Sequence, residues 1–123
     1  MIFGVGTDIV DVRRFEKWAN APELTERFFN EKELHLGGTL AAKSRHLAVR
    51  FAAKEAFSKA LGTGITGFSL KDVWIENDKS GKPEFCFGSS AESLLREKCG
   101  KCKVFVSLSH EKEYAVAFVV IEV

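Results

Sequence analysis

Charge of one sign is what this 123-residue chain most plainly lacks: 18 Lys and Arg stand against 17 Asp and Glu, a formal net charge of +1. An extended nucleic-acid surface is therefore excluded as the main function, and any anion site must be local. No stretch approaches the roughly eighteen apolar residues of a membrane span. The opening Met-Ile-Phe-Gly-Val-Gly has no basic segment ahead of a long apolar run, so a cytoplasmic protein is expected. Cysteine is sparse and odd in number, with three residues, so a disulfide framework is not expected in a chain long enough to build its own core. Cys99 and Cys102 form a Cys-Gly-Lys-Cys that has the form of half a zinc site or a redox pair. Zinc needs about two further ligands, and only Cys86 and scattered His remain, so incidental thiols are the expectation.

What is present describes one ordinary core. Hydrophobic residues make up 46% and charged residues 28%, with eleven Phe to fill the interior. No repeat, low-complexity segment or linker interrupts the chain, so residues 1–123 read as a single domain. Ile2 to Val10 is apolar or small apart from Thr7 and Asp8, and its Ile, Phe and Val suit a buried strand. Residues 11–46 mix charged and apolar positions at helical spacing, broken at Asn20-Ala-Pro22 and Gly37-Gly38, which predicts short helices.

From about Thr39 to Leu61 there is neither Gly nor Pro, and Ala, Leu, Lys and Arg favour one long helix ended by Gly62-Thr-Gly64. Val49, Ala53, Ala56 and Ala60 form a stripe of small residues, while Phe51 and Phe57 point elsewhere, a pattern for a central helix packed on several faces. Strands are expected at Phe68 to Glu76 and Pro83 to Phe87, joined by a polar turn at Asn77 to Lys82. A helix near Ser90 to Lys98 and strands at Val104 to Ser109 and Tyr114 to Val123 complete an α+β reading: a mainly antiparallel sheet packed on one long helix plus short helices.

Asp8 interrupts an apolar strand, and a buried carboxylate needs a cation or hydrogen-bond donors. Taken alone it reads as a salt-bridged or helix-capping Asp. Glu55 and Lys59 stand i,i+4 on the long helix, the spacing of an ordinary solvated ion pair. Ala48 and Ala52 share that sector, so Glu55 can instead meet Asp8 across the core with Lys59 one turn on. Two carboxylates and an ammonium suit Mg²⁺ and a diphosphate, because Mg²⁺ takes one or two protein carboxylates and completes its shell with water and phosphate oxygens. The loop Leu61-Gly62-Thr63-Gly64-Ile65-Thr66-Gly67 allows close approach of a ligand, although helix termination already accounts for Gly62. It is neither a Walker A loop nor a dinucleotide fingerprint. Ser107-Leu-Ser109-His110 lies at a strand end, where contact with phosphate suits it better than nucleophilic catalysis, since no Gly-x-Ser-x-Gly elbow exposes a serine.

Three segments together resemble the bacterial holo-acyl-carrier-protein synthase family of 4′-phosphopantetheinyl transferases: Gly4-Val-Gly-Thr-Asp8-Ile-Val-Asp-Val-Arg-Arg14, Arg50-Phe-Ala-Ala-Lys-Glu55-Ala-Phe-Ser-Lys59-Ala-Leu-Gly-Thr-Gly64, and Ser107-Leu-Ser-His110. The resemblance implies the fold of that family and transfer of 4′-phosphopantetheine from coenzyme A to a serine of apo-acyl carrier protein, a step serving fatty acid biosynthesis. It implies Asp8 and Glu55 as ligands of Mg²⁺ and as catalytic residues with Lys59, which stands near the diphosphate. Arg50, Lys59, Gly62, Gly64 and His110 would bind coenzyme A, and Arg14 would meet the acidic carrier. Glu55, or a water it holds, would take the serine proton. A homotrimer with sites between subunits is also implied, and nucleic acid and membrane are not among the expected partners. The competing reading is a coenzyme A or nucleotide-binding module without transfer activity; both Glu55 and Lys59, whose loss would favour it, are present.

Overall fold

The computed structural model describes residues 1–35 and 37–123. Leu36, which falls within the span read above as short helices, lies outside the described residues. Strand β1 (Ile2–Asp11) leads into a 3₁₀ turn, Val12–Phe15, and short helices α1 (Glu16–Ala19) and α2 (Pro22–Phe28). A second 3₁₀ turn, Glu31–Glu33, precedes the long helix α3 (Leu40–Leu61). The chain continues through β2 (Val73–Asn77), β3 (Pro83–Phe87), α4 (Ser89–Cys99), β4 (Lys103–His110) and β5 (Tyr114–Glu122). The strands form two antiparallel sheets, one ordered β1-β5-β4 and the other the β2-β3 hairpin. The expected antiparallel pairing is thus present but divided between two sheets.

Helix α3 runs through the middle of the molecule. The Thr39 hydroxyl accepts from the Ala42 amide at 3.1 Å and starts it; Gly62, at φ +86°, ends it. Buried residues ring the helix, with Leu47, Ala48, Phe51, Ala52, Ala53, Ala56, Phe57 and Ala60 all in the core. A helix apolar on every side must be covered on every side. The three-stranded sheet covers one face. Ala115, Ala117, Val119 and Ile121 of β5 alternate inward, and the intervening Tyr114 and Phe118 are exposed. Phe15, Trp18 and Phe51 pack together near the start of the chain, and Phe57 joins Phe68, Phe85 and Phe87 near the hairpin.

The contact between β1 and α3 sets the position of Asp8. Gly4 lies against the backbone of Ala60, and Gly6 against Ala56; a Cβ at either would drive into a helix carbonyl. The small-residue stripe therefore meets a strand that is also bare of side chains, and the two backbones approach as closely as sterics allow. Two places further along β1, Asp8 shares the inward face of Gly4 and Gly6.

One strand differs from the sequence expectation. Residues 68–72 are not part of a strand; Leu70–Asp72 forms a 3₁₀ turn and β2 begins only at Val73. The cause is Asp72, whose carboxylate accepts from the Ser90 amide at 3.0 Å and the Ser90 hydroxyl at 2.6 Å, holding the start of α4. Holding that position requires the chain to turn rather than pair.

Beneath α3 lies a buried ion pair. Lys54 Nζ donates to Glu33 Oε1 at 2.7 Å, to the Leu70 carbonyl at 3.0 Å and to the Val73 carbonyl. Glu33 accepts in addition from the amides of Asn30 and Ile75. Both side chains are almost wholly shielded from water, and burial pulls the Lys54 ammonium below its usual range against the attraction of Glu33.

Two stability outcomes follow. Gly6→Ala should lower the unfolding free energy by about 2–3 kcal/mol, the usual cost of overpacking, as read from urea denaturation. Lys54→Met should cost about 3–5 kcal/mol by stranding Glu33, and pairing it with Glu33→Leu should recover most of that loss.

Candidate functional site

Asp8 and Glu55 come together where β1 crosses α3, as the sequence reading expected. The carboxyl of Glu55 is pushed above its usual range, first by burial and then by the negative charge of Asp8. Lys59 and Arg14 oppose the shift, which places both cations close enough to act on Glu55. Lys59 Nζ donates to Asp8 Oδ1 at 3.1 Å and to the Thr7 carbonyl at 3.0 Å. The i,i+4 ion pair with Glu55 that the spacing alone suggested is therefore replaced by one reaching across to the strand. The Asp8 side chain is 16% exposed and that of Lys59 53%, so the cluster opens to solvent at the lysine end. The Arg14 guanidinium stacks on Phe15 and Phe51, each ring centre 5.4 Å away, and borders the same opening.

This donor set fits a hard cation with few protein ligands. No group of three or more His, Cys, Asp or Glu capable of holding a metal occurs among the described residues. A pair of carboxylates repelling each other beside a single exposed ammonium is nevertheless what Mg²⁺ commonly uses when a phosphate substrate completes its shell.

Arg50, on α3, and His110, at the end of β4, were expected near phosphates and lie apart from the carboxylates. They line a cleft of about 270 Å³ together with Ala42, Arg45, His46 and Val49. Arg45 and His46 were missed by the sequence reading because a basic residue near a helix start carries no signal of its own; only the fold places them opposite His110. Arg50 Nε is buried with no hydrogen-bond partner among the described residues, and burial lowers the guanidinium's proton affinity against the pull of Glu33. A buried, unpaired donor with Arg45, His46 and His110 in the same lining suits this cleft to an anion. At about 100° of rotation per residue, Arg50 and Glu55 project from α3 roughly 140° apart. One chain thus presents its carboxylates and its cationic cleft on different sides of α3.

Gly62 and Gly64 both adopt positive φ, and a Cβ at either would meet nothing. The Gly62 amide donates to the carbonyls of Ser58 and Lys59, so helix termination accounts for it. Cys99, Cys102 and Cys86 are free thiols. A second, larger cleft of about 1040 Å³ lies between the edges of β3 and β4 and includes Lys82, Pro83, Phe85, Arg96, Cys102 and Phe105; it holds none of the expected site residues. No described helix is long and apolar enough to cross a membrane.

Comparison with known proteins gives the family and the fold. Residues 4–119 match the model of the 4′-phosphopantetheinyl transferase superfamily. A holo-[acyl-carrier-protein] synthase of Treponema denticola is 50% identical over 123 residues, covering 99% of each chain. Among solved structures, the holo-[acyl-carrier-protein] synthase of Neisseria meningitidis superposes with a TM-score of 0.85 at 37% identity over all of both chains. That of Bacillus anthracis, solved with CoA (3′,5′-ADP), gives 0.81 at 38% identity over 99% of this chain and 97% of its own. With its motifs, its α+β fold and its whole length in agreement, the chain belongs to the 4′-phosphopantetheinyl transferase superfamily.

Proposed function

We propose that this protein is a holo-acyl-carrier-protein synthase of the cytoplasm, moving 4′-phosphopantetheine from coenzyme A to a serine of apo-acyl carrier protein and releasing adenosine 3′,5′-bisphosphate. The observation that carries the reading is the meeting of Asp8, Glu55 and Lys59 where β1 crosses α3. Asp8 and Glu55 would hold Mg²⁺, which when bound neutralises charge on the diphosphate and the departing bisphosphate. Glu55, with its proton affinity raised by burial, is suited to receive the proton of the carrier serine as the hydroxyl attacks phosphorus. Lys59, exposed at its tip, offers an ammonium to the phosphate oxygens, and the Thr7 carbonyl and Asp8 hold it in place. Arg50 and His110 receive the remaining phosphate of coenzyme A in the cationic cleft. Gly62 and Gly64 leave open the space beyond Lys59. Arg14, beside the opening, attracts the acidic carrier.

The separation of the two charged sites around α3 supports a homotrimer with sites between subunits. In such an assembly the carboxylates of one subunit and the cationic cleft of the next can address the same coenzyme A. The outer face of the three-stranded sheet supports it too. Val5, Ile9, Phe105 and Phe118 are all exposed there, Ile9 by 64%, and such a contiguous apolar face is a usual mark of a protein interface.

Incubation with coenzyme A, Mg²⁺ and apo-acyl carrier protein should add the phosphopantetheine mass to the carrier. Retained coenzyme A binding with no transfer, under conditions where a known synthase works, would favour a binding module instead. Asp8→Ala and Glu55→Ala should each reduce transfer by about 100-fold or more. Arg14→Ala should raise KM for the carrier several-fold in a salt-dependent way while leaving coenzyme A affinity unchanged. In sedimentation, the protein should run at three times its 13.7 kDa chain mass. Phe118→Asp should reduce it to the monomer; a wild-type monomer would refute the trimer.

A further inference from the structure

The cationic cleft contains a histidine that its proposed ligand does not yet use. His46 Nε2 lies 2.6 Å from the carbonyl oxygen of Glu33. A carbonyl only accepts, so Nε2 carries the proton and the neutral ring keeps a lone pair on Nδ1. Nδ1 makes no hydrogen bond to the described residues, and His46 lines the cleft. The ring cannot rotate freely to change this, because the acceptor is fixed. Glu33 is itself held by Lys54 and by the amides of Asn30 and Ile75.

We infer that His46 is a further ligand-binding residue of this cleft, taking up a proton at Nδ1 and donating it to a bound phosphate monoester dianion. The inference rests on the reading of the cleft as a coenzyme A phosphate site. A lone pair facing phosphate oxygens is repelled, whereas an Nδ1–H makes a charge-assisted hydrogen bond. In the free protein the charges around the ring disfavour that proton. Arg45 and Arg50 face the cleft from α3, and His110 faces it from β4. The one carboxylate nearby, Glu33, is engaged by Lys54. Burial and the Arg50 guanidinium hold His46 below its usual range. Opposite charge a few ångströms away typically shifts a titrating group by about one to three pH units, so a dianion reverses the balance. Ring protonation and ligand binding then become one linked event, the proton passing from solvent to Nδ1. The dianion also meets the positive charge of the Arg50 guanidinium, which lines the same cleft.

Calorimetric titration of the full-length protein with adenosine 3′,5′-bisphosphate, in buffers of different ionisation enthalpy, reads proton uptake directly. Measurements belong above about pH 7, where the ligand phosphate is already dianionic. The wild type should take up a fraction of a proton per site. Its affinity should fall with rising pH by up to about tenfold per unit, the limit for one linked proton. His46→Gln should bind with no uptake and little pH dependence. Equal uptake in His46→Gln, or none in the wild type, overturns the inference. No binding by the wild type overturns the reading of the cleft itself. Nitrogen NMR of the wild-type ring gives an answer independent of any variant's folding: ligand should bring a second proton onto the His46 imidazole, and an unchanged ring refutes it.

Discussion

Lys54 and Glu33 meet where water cannot reach them, and four separate pieces of chain are tied to that meeting. Glu33 sits in the 3₁₀ turn before α3 and Lys54 in the middle of α3. Their remaining hydrogen bonds reach the turn at Leu70 and the first half of β2. A buried ion pair is tolerable only when nearly all its donors and acceptors are matched. Here the matching groups are mainly backbone atoms, so the pair specifies where three segments lie relative to the helix. It also acts on both sides of α3. Lys54 precedes Glu55 in the chain, and the Glu33 backbone carbonyl orients the His46 ring beside Arg50. The carboxylate cluster and the cationic cleft thus share one support, although neither touches the other.

Much of this was legible in the amino-acid pattern, for identifiable reasons. The long helix announced itself through an uninterrupted run of helix-forming residues, and the all-round apolar pattern correctly implied a central position. Asp8 was visible because a carboxylate in an apolar strand is costly without a partner. Its partner proved to be Lys59, at i,i+4 from Glu55 but turned toward the strand. Other features depended on contacts distant in sequence. Nothing near residue 72 reveals that its carboxylate belongs to α4, so the start of β2 was placed too early. The burial of Lys54 was equally hidden, since a lysine in a helix normally reads as solvent-facing. Arg45 and His46 became meaningful only when β4 brought His110 across to them.

The two charged regions also differ in what they suit. At the β1–α3 crossing, negative charge is concentrated and only partly relieved by Lys59 and Arg14, a setting that favours a bound cation and a proton acceptor. At the other side of the helix, positive charge surrounds a donor with nothing to bind, a setting that favours a phosphate. A coenzyme A molecule carries both a diphosphate and a separate phosphate monoester, so it has the right parts for both, provided neighbouring subunits bring the two regions together. The exposed apolar sheet face would give such neighbours a surface on which to meet.

The bare backbones of Gly4 and Gly6 have a consequence for how the protein fails. Asp8 and Glu55 belong to two elements held at a separation set by main-chain contact, with no side chains between them to compress or rearrange. Such a spacing leaves little slack for side chains to absorb a partial shift of the strand on the helix. Asp8 and Glu55 are therefore expected to lose their register on heating in the same event in which the strand leaves the helix.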